Sequence, residues 1–119
     1  MQFFTGVDII ETARFTQKQL QNNRFMDLCF TQDEQEYCFS TKNPEQHLAG
    51  RYAAKEAVTK ALSGINKTLV YSQIEVKNKD NGRPYVILHT TDEELLRVKI
   101  DVSISHSKTD AVAFAVMYC

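Results

Sequence analysis

The longest helical pattern in the chain, from Asn43 to Ser63, most constrains the fold, because its apolar side consists largely of small residues. Asn43 can cap this helix, Pro44 suits the first helical position and Gln46 stands where a capping-box partner belongs. Gly64 then offers a left-handed stop. The apolar side is formed by Gly50, Ala53, Ala54, Ala57, Val58, Ala61 and Leu62. Small side chains allow another backbone to approach closely, so we expect this helix to lie at the centre of the fold.

Five segments are predicted as strands from their composition or from alternation of apolar and polar residues. They are Phe3–Ile10, Ile74–Lys77, Tyr85–Leu88, Asp101–His106 and Ala111–Met117. Asn81-Gly82 predicts a hairpin between the second and third, and Ser107–Asp110 a turn between the last two. Ala111–Met117 is continuously apolar, which favours a central strand.

Three shorter helices are predicted between these strands. Thr12–Met26 has a helical pattern of moderate quality. A capping box from Thr31 to Glu34 opens a helix to about Phe39, and another from Thr91 to Glu94 opens a short helix to about Val98. Helices that mix with hairpins favour an α+β fold with a largely antiparallel sheet. We expect residues 1–119 to form one domain.

The composition excludes several classes of protein. The chain has 14 Lys and Arg against 15 Asp and Glu, and therefore lacks the basic excess of a general nucleic-acid binder. Its three cysteines are odd in number and form no Cys-x-x-Cys pair, which favours cytosolic thiols over disulfides or a zinc site. The sequence shows neither a signal-peptide pattern nor an apolar run of membrane-spanning length, so we expect a cytoplasmic protein with no membrane partner.

Two carboxylates and a lysine are candidates for chemistry. Asp8 interrupts an apolar strand, where it must be hydrogen-bonded, paired, bound to a cation or at a strand end. A strand-end role and a ligand role fit the pattern equally well. Glu56 and Lys60 lie at the edge of the alanine face, and their spacing alone indicates a surface pair worth about 0.3–0.5 kcal/mol. Two carboxylates would nevertheless suit Mg²⁺ with substrate phosphates, and a nearby lysine suits phosphoryl-group transfer.

The histidines carry a weaker signal. His106 ends a strand, and a lone histidine on an apolar face is usually structural. Ser107 and Lys108 follow it in a turn where a phosphate could be held. His47 and His89 have no comparable context and are interpreted as structural or surface residues.

Four stretches in this order together resemble one family. They are GVDIIETARF, LAGRYAAKEAVTKAL, DNGRPYV and VSISHSKTDAVAFAV. They are similar to the holo-acyl-carrier-protein synthases, the short 4′-phosphopantetheinyl transferases. The resemblance implies Mg²⁺-dependent transfer of phosphopantetheine from coenzyme A to a serine of an acyl carrier protein. It also implies a homotrimer with active sites between subunits.

The resemblance also implies roles for individual residues. Asp8 and Glu56 become Mg²⁺ ligands, and Glu56 would help to deprotonate the carrier serine through a water molecule. Lys60 would contact the phosphates and support the departing nucleotide. The remaining coenzyme A contacts would be Arg51, Ser63, Gly64, His106 and Ser107. The Ser63-Gly64 turn looks about one residue shorter than the family's glycine-rich turn.

The same resemblance implies that the first predicted helix, Thr12–Met26, binds the carrier protein. Between Thr12 and Met26 there is no acidic residue. Its basic side chains would meet an acidic helix of the carrier protein, and complementary charge of this kind mainly improves encounter rate and partner choice. The candidates are Arg14, Lys18 and Arg24, with Phe25 as an apolar anchor.

Two other functions remain open at the level of sequence. One is a non-catalytic module that binds coenzyme A or a carrier protein. The other is a small phosphohydrolase that uses Asp8, Glu56 and His106 and releases its product to water.

Overall fold

The computed structural model describes the backbone of residues 1–119 and every side chain except those of Gln17 and Lys18. The fold is α+β, as predicted. The strands are β1 (Phe3–Glu11), β2 (Ile74–Asn78), β3 (Pro84–Leu88), β4 (Lys99–His106) and β5 (Asp110–Tyr118). The helices are α1 (Gln17–Leu20), α2 (Asn23–Cys29), α3 (Gln32–Phe39), α4 (Pro44–Leu62) and α5 (Glu93–Arg97). Short 3₁₀ turns cover Thr12–Arg14, Ser63–Ile65 and Tyr71–Gln73.

The strands form two antiparallel sheets. One sheet has the order β1-β5-β4, which confirms β5 as a central strand, and the other is the β2-β3 hairpin. The hairpin loop spans residues 79–83, where Gly82 adopts a left-handed φ of 89° that favours glycine. On β1, Phe4, Gly6, Asp8 and Ile10 share one face and are all less exposed than their neighbours.

Helix α4 crosses the three-stranded sheet diagonally. Near its start, Gly50 packs against Ile104 of β4, and a Cβ on Gly50 would lie 3.0 Å from the Ile104 methyl carbon. Further along, Gly6 of β1 lies so close to the Ala57 carbonyl that any Cβ there would overlap it. The first half of α4 therefore covers β4, and its second half covers β1.

The opposite side of α4 is covered as well. Arg51 and Lys55 lie on that side and are buried, with 5% and 0% of their surface exposed. Helix α3 and strand β2 pack there, since Lys55 contacts Glu34 of α3 and the carbonyl of Ile74 at the start of β2. A helix that is buried nearly all round must satisfy its polar groups internally, and this requirement shapes the site described below.

The prediction of one helix over Thr12–Met26 was wrong. The segment divides into the Thr12–Arg14 turn, α1 and α2. The break before α2 has a local cause, because the Asn22 side chain caps α2 by accepting a hydrogen bond of 3.1 Å from the Phe25 backbone. Phe15 also leaves helical geometry and is buried in the core.

The predicted helix ends are confirmed in part. The capping box between Thr31 and Glu34 is present in both directions. At the start of α4, Pro44 occupies the first turn, but the Asn43 side chain makes no capping hydrogen bond. At α5 the cap is Asp92 rather than Thr91, because the Asp92 carboxylate accepts from the backbone of Glu94 and Leu95.

Gly64 is not the left-handed stop of the long helix. Asn66 takes that conformation, with φ of 58°, after a 3₁₀ turn. The absence of a side chain at Gly64 has another reason, since the Phe4 ring occupies the space where its Cβ would lie.

The face of the three-stranded sheet that points away from α4 is unusually apolar. Its exposed large side chains on β1 and β5 are Phe3, Val7, Ile9, Val112 and Phe114. The register places Val7 opposite Phe114 and Ile9 opposite Val112, so they form one continuous surface. A solvated sheet face normally carries polar residues, and contiguous apolar surface usually marks an interface.

Among the described residues, no helix combines the length and hydropathy that crossing a bilayer requires.

Candidate active site

Asp8 and Lys60 form an open ion pair where β1 crosses α4. The Lys60 ammonium lies 3.4 Å from Asp8 Oδ1 and donates a hydrogen bond of 2.7 Å to the Val7 carbonyl. Asp8 lies opposite Ala113 in the middle of β1, which excludes the strand-end alternative. About half of the Lys60 side chain and a fifth of the Asp8 side chain are exposed. Both charges are therefore accessible to a ligand.

Glu56 lies one helical turn before Lys60 and is half-buried. Its Oε1 accepts a short hydrogen bond from the Tyr71 hydroxyl. This bond raises the pKa of Tyr71, with burial adding to the effect, so the hydroxyl stays protonated and remains a donor at neutral pH. No sequence pattern points to Tyr71, because its contact with Glu56 depends on where the segment after α4 lies.

The pair of carboxylates suits a hard divalent cation that shares its ligands with a phosphate. Asp8 contacts Lys60, one turn from Glu56, so both carboxylates lie at the same end of α4. Within the described part of the chain, no three His, Cys, Asp or Glu side chains are grouped closely enough to hold a metal. Mg²⁺ is commonly bound by one or two carboxylates, with waters and substrate phosphates as its other ligands. The donor set fits that cation rather than a closed protein site.

A second cluster surrounds Arg51. Its Nη2 donates a hydrogen bond of 2.6 Å to Asn78 Oδ1, and its guanidinium carbon lies 4.4 Å from the centre of the Tyr37 ring. The Arg51 Nε is buried and has no partner among the described side chains. A cavity of about 250 Å³ is lined here by Tyr37, His47, Arg51, Asn78 and His106.

His47 belongs to this cluster, which the sequence did not predict. Its ring contacts that of His106 edge to face, with 6.1 Å between centres. Burial lowers the pKa of His47, and the charges of Arg51 and His106 lower it further. His47 therefore stays neutral near pH 7, and Arg51 supplies a permanent positive charge to the cavity.

The two clusters do not meet within one chain. Arg51 and Lys60 lie about 13 Å apart along α4, at a rise of about 1.5 Å per residue. Arg51 shares its cavity with His106, the last residue of β4, and Lys60 contacts Asp8 of β1. The predicted site residues are thus divided between the two edges of the sheet.

The remaining coenzyme A candidates follow the same division. Ser63 and Gly64 are exposed one turn beyond Lys60, and the Ser63 hydroxyl donates to the Lys60 carbonyl at 2.6 Å. Ser107 lies beside His106, and its hydroxyl accepts from the backbone N–H groups of Thr109 and Asp110. That this turn could hold a phosphate stays a prediction.

The residues predicted to meet a carrier protein lie in the region of Thr12–Arg14, α1 and α2. Arg14 and Arg24 are exposed, and the Lys18 side chain lies outside the described residues. Phe25 is half-buried and packs against Phe15 with 6.3 Å between ring centres, so it is held partly within the core. Leu28 on α2 is 63% exposed and presents the larger apolar surface.

Beneath the site lies a buried ion pair that the sequence did not indicate. Lys55 Nζ is 2.7 Å from Glu34 Oε1, and both side chains are almost fully buried. Lys55 also donates to the carbonyls of Tyr71 and Ile74, at 2.8 and 2.7 Å. Burial lowers the pKa of Lys55, and the Glu34 carboxylate opposes that effect. All three ammonium protons thus have an acceptor, as a buried charge requires.

Comparison with known proteins places this chain in a family. The family model described as the 4′-phosphopantetheinyl transferase superfamily matches residues 5–116. The chain belongs to this superfamily. It is 40% identical over 111 residues to a protein named holo-[acyl-carrier-protein] synthase from a Geobacillus species, covering 91% of this chain and 89% of the relative.

Solved structures agree with this assignment. The chain superposes on a Chronobacterium ammoniagenes ACPS–coenzyme A complex with a TM-score of 0.83 and 26% identity, over 98% of this chain and 97% of the other. A Bacillus anthracis holo-(acyl-carrier-protein) synthase in complex with coenzyme A (3′,5′-ADP) gives a TM-score of 0.77 and 33% identity, over 96% and 94%.

Proposed function

We propose that this chain is a holo-acyl-carrier-protein synthase, which transfers the 4′-phosphopantetheinyl group from coenzyme A to a serine of an apo acyl carrier protein. The observation that carries the proposal is the open Asp8–Lys60 pair with the Glu56 carboxylate alongside. The names of the relatives and the coenzyme A in related solved structures support the choice of substrates.

The reaction is a phosphoryl-group transfer in which the carrier serine oxygen attacks the β-phosphorus of coenzyme A. A new bond forms between that phosphorus and the serine oxygen, and the bond to adenosine 3′,5′-bisphosphate breaks. The serine proton passes towards Glu56. Lys60, which now donates to Asp8 and Val7, would turn its ammonium to the phosphate oxygens and stabilise the departing nucleotide.

Asp8 and Glu56 are proposed to hold Mg²⁺. Bound there, the ion would supply positive charge that orients the pyrophosphate and stabilises the charge developing in the transition state. The partly exposed carboxylates and the lack of a third protein ligand among the described residues support a cation that completes its shell with substrate.

The Arg51 cluster is proposed to bind the nucleotide portion of coenzyme A, together with His106 and Ser107. Arg51 offers a buried, unpartnered Nε and a guanidinium held by Asn78 and Tyr37. Arginine suits phosphate because its planar donors can bind two oxygens at once. Ser63 and Gly64 are proposed to contact coenzyme A at the other end of α4.

We further propose a homotrimer with each active site between subunits. Two observations support it. The clusters at Lys60 and Arg51 are about 13 Å apart along one helix, so a neighbouring chain could bring one cluster to the other. The apolar face around Val7 and Phe114 would also be covered by association.

Light scattering of the chain in solution should give three times the monomer mass, and Phe114→Asp should lower that mass. A monomer at micromolar concentration would contradict this assembly.

The acyl carrier protein is proposed to dock on Arg14, Lys18, Arg24 and Phe25, with exposed Leu28 beside them. Complementary charge there would mainly affect association rate.

The cytoplasm remains the predicted compartment, and three free cysteines support a reducing environment. Residues 1–119 are proposed to act as one domain.

The function is tested by intact mass spectrometry of an apo acyl carrier protein. The carrier is incubated with this chain, coenzyme A and Mg²⁺, and a parallel reaction contains EDTA. We expect the mass to rise by one phosphopantetheinyl group, and EDTA to prevent the gain. Coenzyme A binding with no gain on several carriers would instead indicate a binding module. Phosphopantetheine released to water without a carrier would indicate a hydrolase.

A further inference from the structure

The Glu56 carboxylate is held from outside its own helix. The Tyr71 hydroxyl, on the 3₁₀ turn Tyr71–Gln73 that precedes β2, donates to Glu56 Oε1. A glutamate side chain has three rotatable bonds, and a half-exposed one would otherwise sample several rotamers. With Oε1 engaged by Tyr71, the Oε2 atom is left as the natural ligand atom.

The turn that carries Tyr71 is itself fixed by the buried Lys55. The Lys55 ammonium donates to the Tyr71 carbonyl at 2.8 Å and to the Ile74 carbonyl at 2.7 Å, and so ties down both ends of the turn. Lys55 is fully buried and is held in turn by Glu34 at 2.7 Å. The Tyr71 ring lies against the Tyr52 ring with 5.3 Å between centres.

These contacts form a continuous path from the core to the site. Glu34 fixes Lys55, Lys55 fixes the Tyr71 backbone, and Tyr71 fixes Glu56. Groups that hydrogen-bond to a metal-ligating side chain set its orientation, and losing them typically costs about 10–100-fold in metal affinity or activity.

We propose that Tyr71 is a positioning residue, whose hydroxyl orients Glu56 for divalent-cation binding and is itself placed by the buried Lys55. This inference rests on the proposed role of Glu56 in binding Mg²⁺. It assigns Tyr71 no contact with coenzyme A or with the carrier serine.

Tyr71→Phe tests the inference, because it removes the hydroxyl and keeps the ring against Tyr52. The direct readout is Mn²⁺ binding in the presence of coenzyme A, followed by the electron paramagnetic resonance signal of free Mn²⁺. We expect Tyr71→Phe to weaken Mn²⁺ binding about 10-fold or more. Tyr85→Phe removes a hydroxyl from β3 and serves as the matched control, with unchanged Mn²⁺ affinity. Both variants should keep the thermal unfolding midpoint of the unsubstituted chain to within a few degrees.

A double-variant cycle tests whether Tyr71 acts through Glu56. Glu56→Gln alone should weaken Mn²⁺ binding, and adding Tyr71→Phe to it should weaken binding little further, because residues in one hydrogen-bonded path are not additive. Full additivity of the two substitutions would overturn the inference.

The outcomes separate this inference from the proposed function. If the unsubstituted chain transfers phosphopantetheine and Tyr71→Phe binds Mn²⁺ as tightly as it does, only the positioning role fails. If the unsubstituted chain with coenzyme A binds no Mn²⁺, the metal site and the positioning role fail together. If Tyr71→Phe weakens Mn²⁺ binding but no carrier is modified, the positioning role stands and the proposed transfer fails.

Discussion

Two lysines of α4 each contact a carboxylate, and their surroundings differ in almost every respect. Lys55 and Glu34 are nearly inaccessible, lie 2.7 Å apart and have further hydrogen bonds on both sides. Lys60 and Asp8 lie 3.4 Å apart, and about half of the lysine is exposed.

The difference separates a structural role from a functional one. In a buried pair whose donors and acceptors are all occupied, no group is free to bind a ligand. Removing one partner would leave the other charge buried and unpaired. An open pair contributes little to stability, because water screens it, but its groups can exchange partners when a ligand arrives. The same pairing of residue types on one helix therefore predicts opposite results for substitution.

The largest expected effect is the loss of stability on Lys55→Met. It would leave the Glu34 charge buried, and we expect the free energy of unfolding to fall by about 3–5 kcal/mol. Urea denaturation at fixed protein concentration measures this value. Lys60→Met is the matched control on the same helix and should change stability by less than about 1 kcal/mol. Equal losses of stability in the two variants would show that the buried and the open pair contribute alike to the fold.

A large effect on activity without one on stability is expected for Asp8→Asn. The substitution preserves shape and removes the charge proposed to hold Mg²⁺. We expect kcat/KM for carrier modification to fall about 100-fold or more, and the free energy of unfolding to change by less than about 1 kcal/mol. Asp101→Asn on β4 is the control, because its carboxylate is exposed and lies 4.0 Å from Arg83. Full activity of Asp8→Asn would remove the basis for the metal site.

A smaller effect on activity is expected for Lys60→Gln. The proposed loss is one charge-assisted hydrogen bond to a phosphate oxygen, worth about 1.5–3 kcal/mol, or roughly 10–100-fold in kcat/KM. Steady-state kinetics with varied coenzyme A measures it. A change confined to urea stability, with kcat/KM intact, would mean that Lys60 serves only to hold β1.

The smallest expected effect is on the rates at which the cysteines are alkylated, because two of them lie near the buried pair of Lys55 and Glu34. Burial raises the pKa of Cys38 to about 11 and also raises the pKa of Cys29 above its usual value. Both thiols should therefore react slowly with iodoacetamide, and exposed Cys119 should react first. Mass spectrometry after timed labelling gives the order. In Lys55→Met, labelling of Cys29 and Cys38 should accelerate, and unchanged rates would argue that Lys55 does not hold that region closed.

Much of the fold could be predicted because its signals are local. Strand composition, alternation and the Asn81-Gly82 turn located all five strands, and the apolar run of Ala111–Met117 identified the central one. The capping box at Thr31 and Glu34 was correct because both partners lie within one turn. The break at Asn22 was not predicted, because an asparagine within a moderate helical pattern can either continue the helix or cap a new one.

The candidate site could be predicted only where it depends on a single element or on the family resemblance. Glu56 and Lys60 follow from helical spacing, and Asp8 stands out within its strand. The contacts of Tyr71 and Lys55 join segments far apart in sequence, and no local pattern specifies them. Gly64 shows the same limit. A side chain is excluded there by the distant Phe4 ring and not by the backbone angle of Gly64 itself.

The most direct test of the account is to locate the cation. Crystals of the chain grown with coenzyme A and Mn²⁺ would reveal the ion by its anomalous scattering. The account predicts one Mn²⁺ between the carboxylates of Asp8 and Glu56, in contact with the pyrophosphate and with Lys60 turned towards the same phosphates. An ion bound elsewhere, with Lys60 still on the Asp8 carboxylate, would contradict the assignment of the open pair as the catalytic centre.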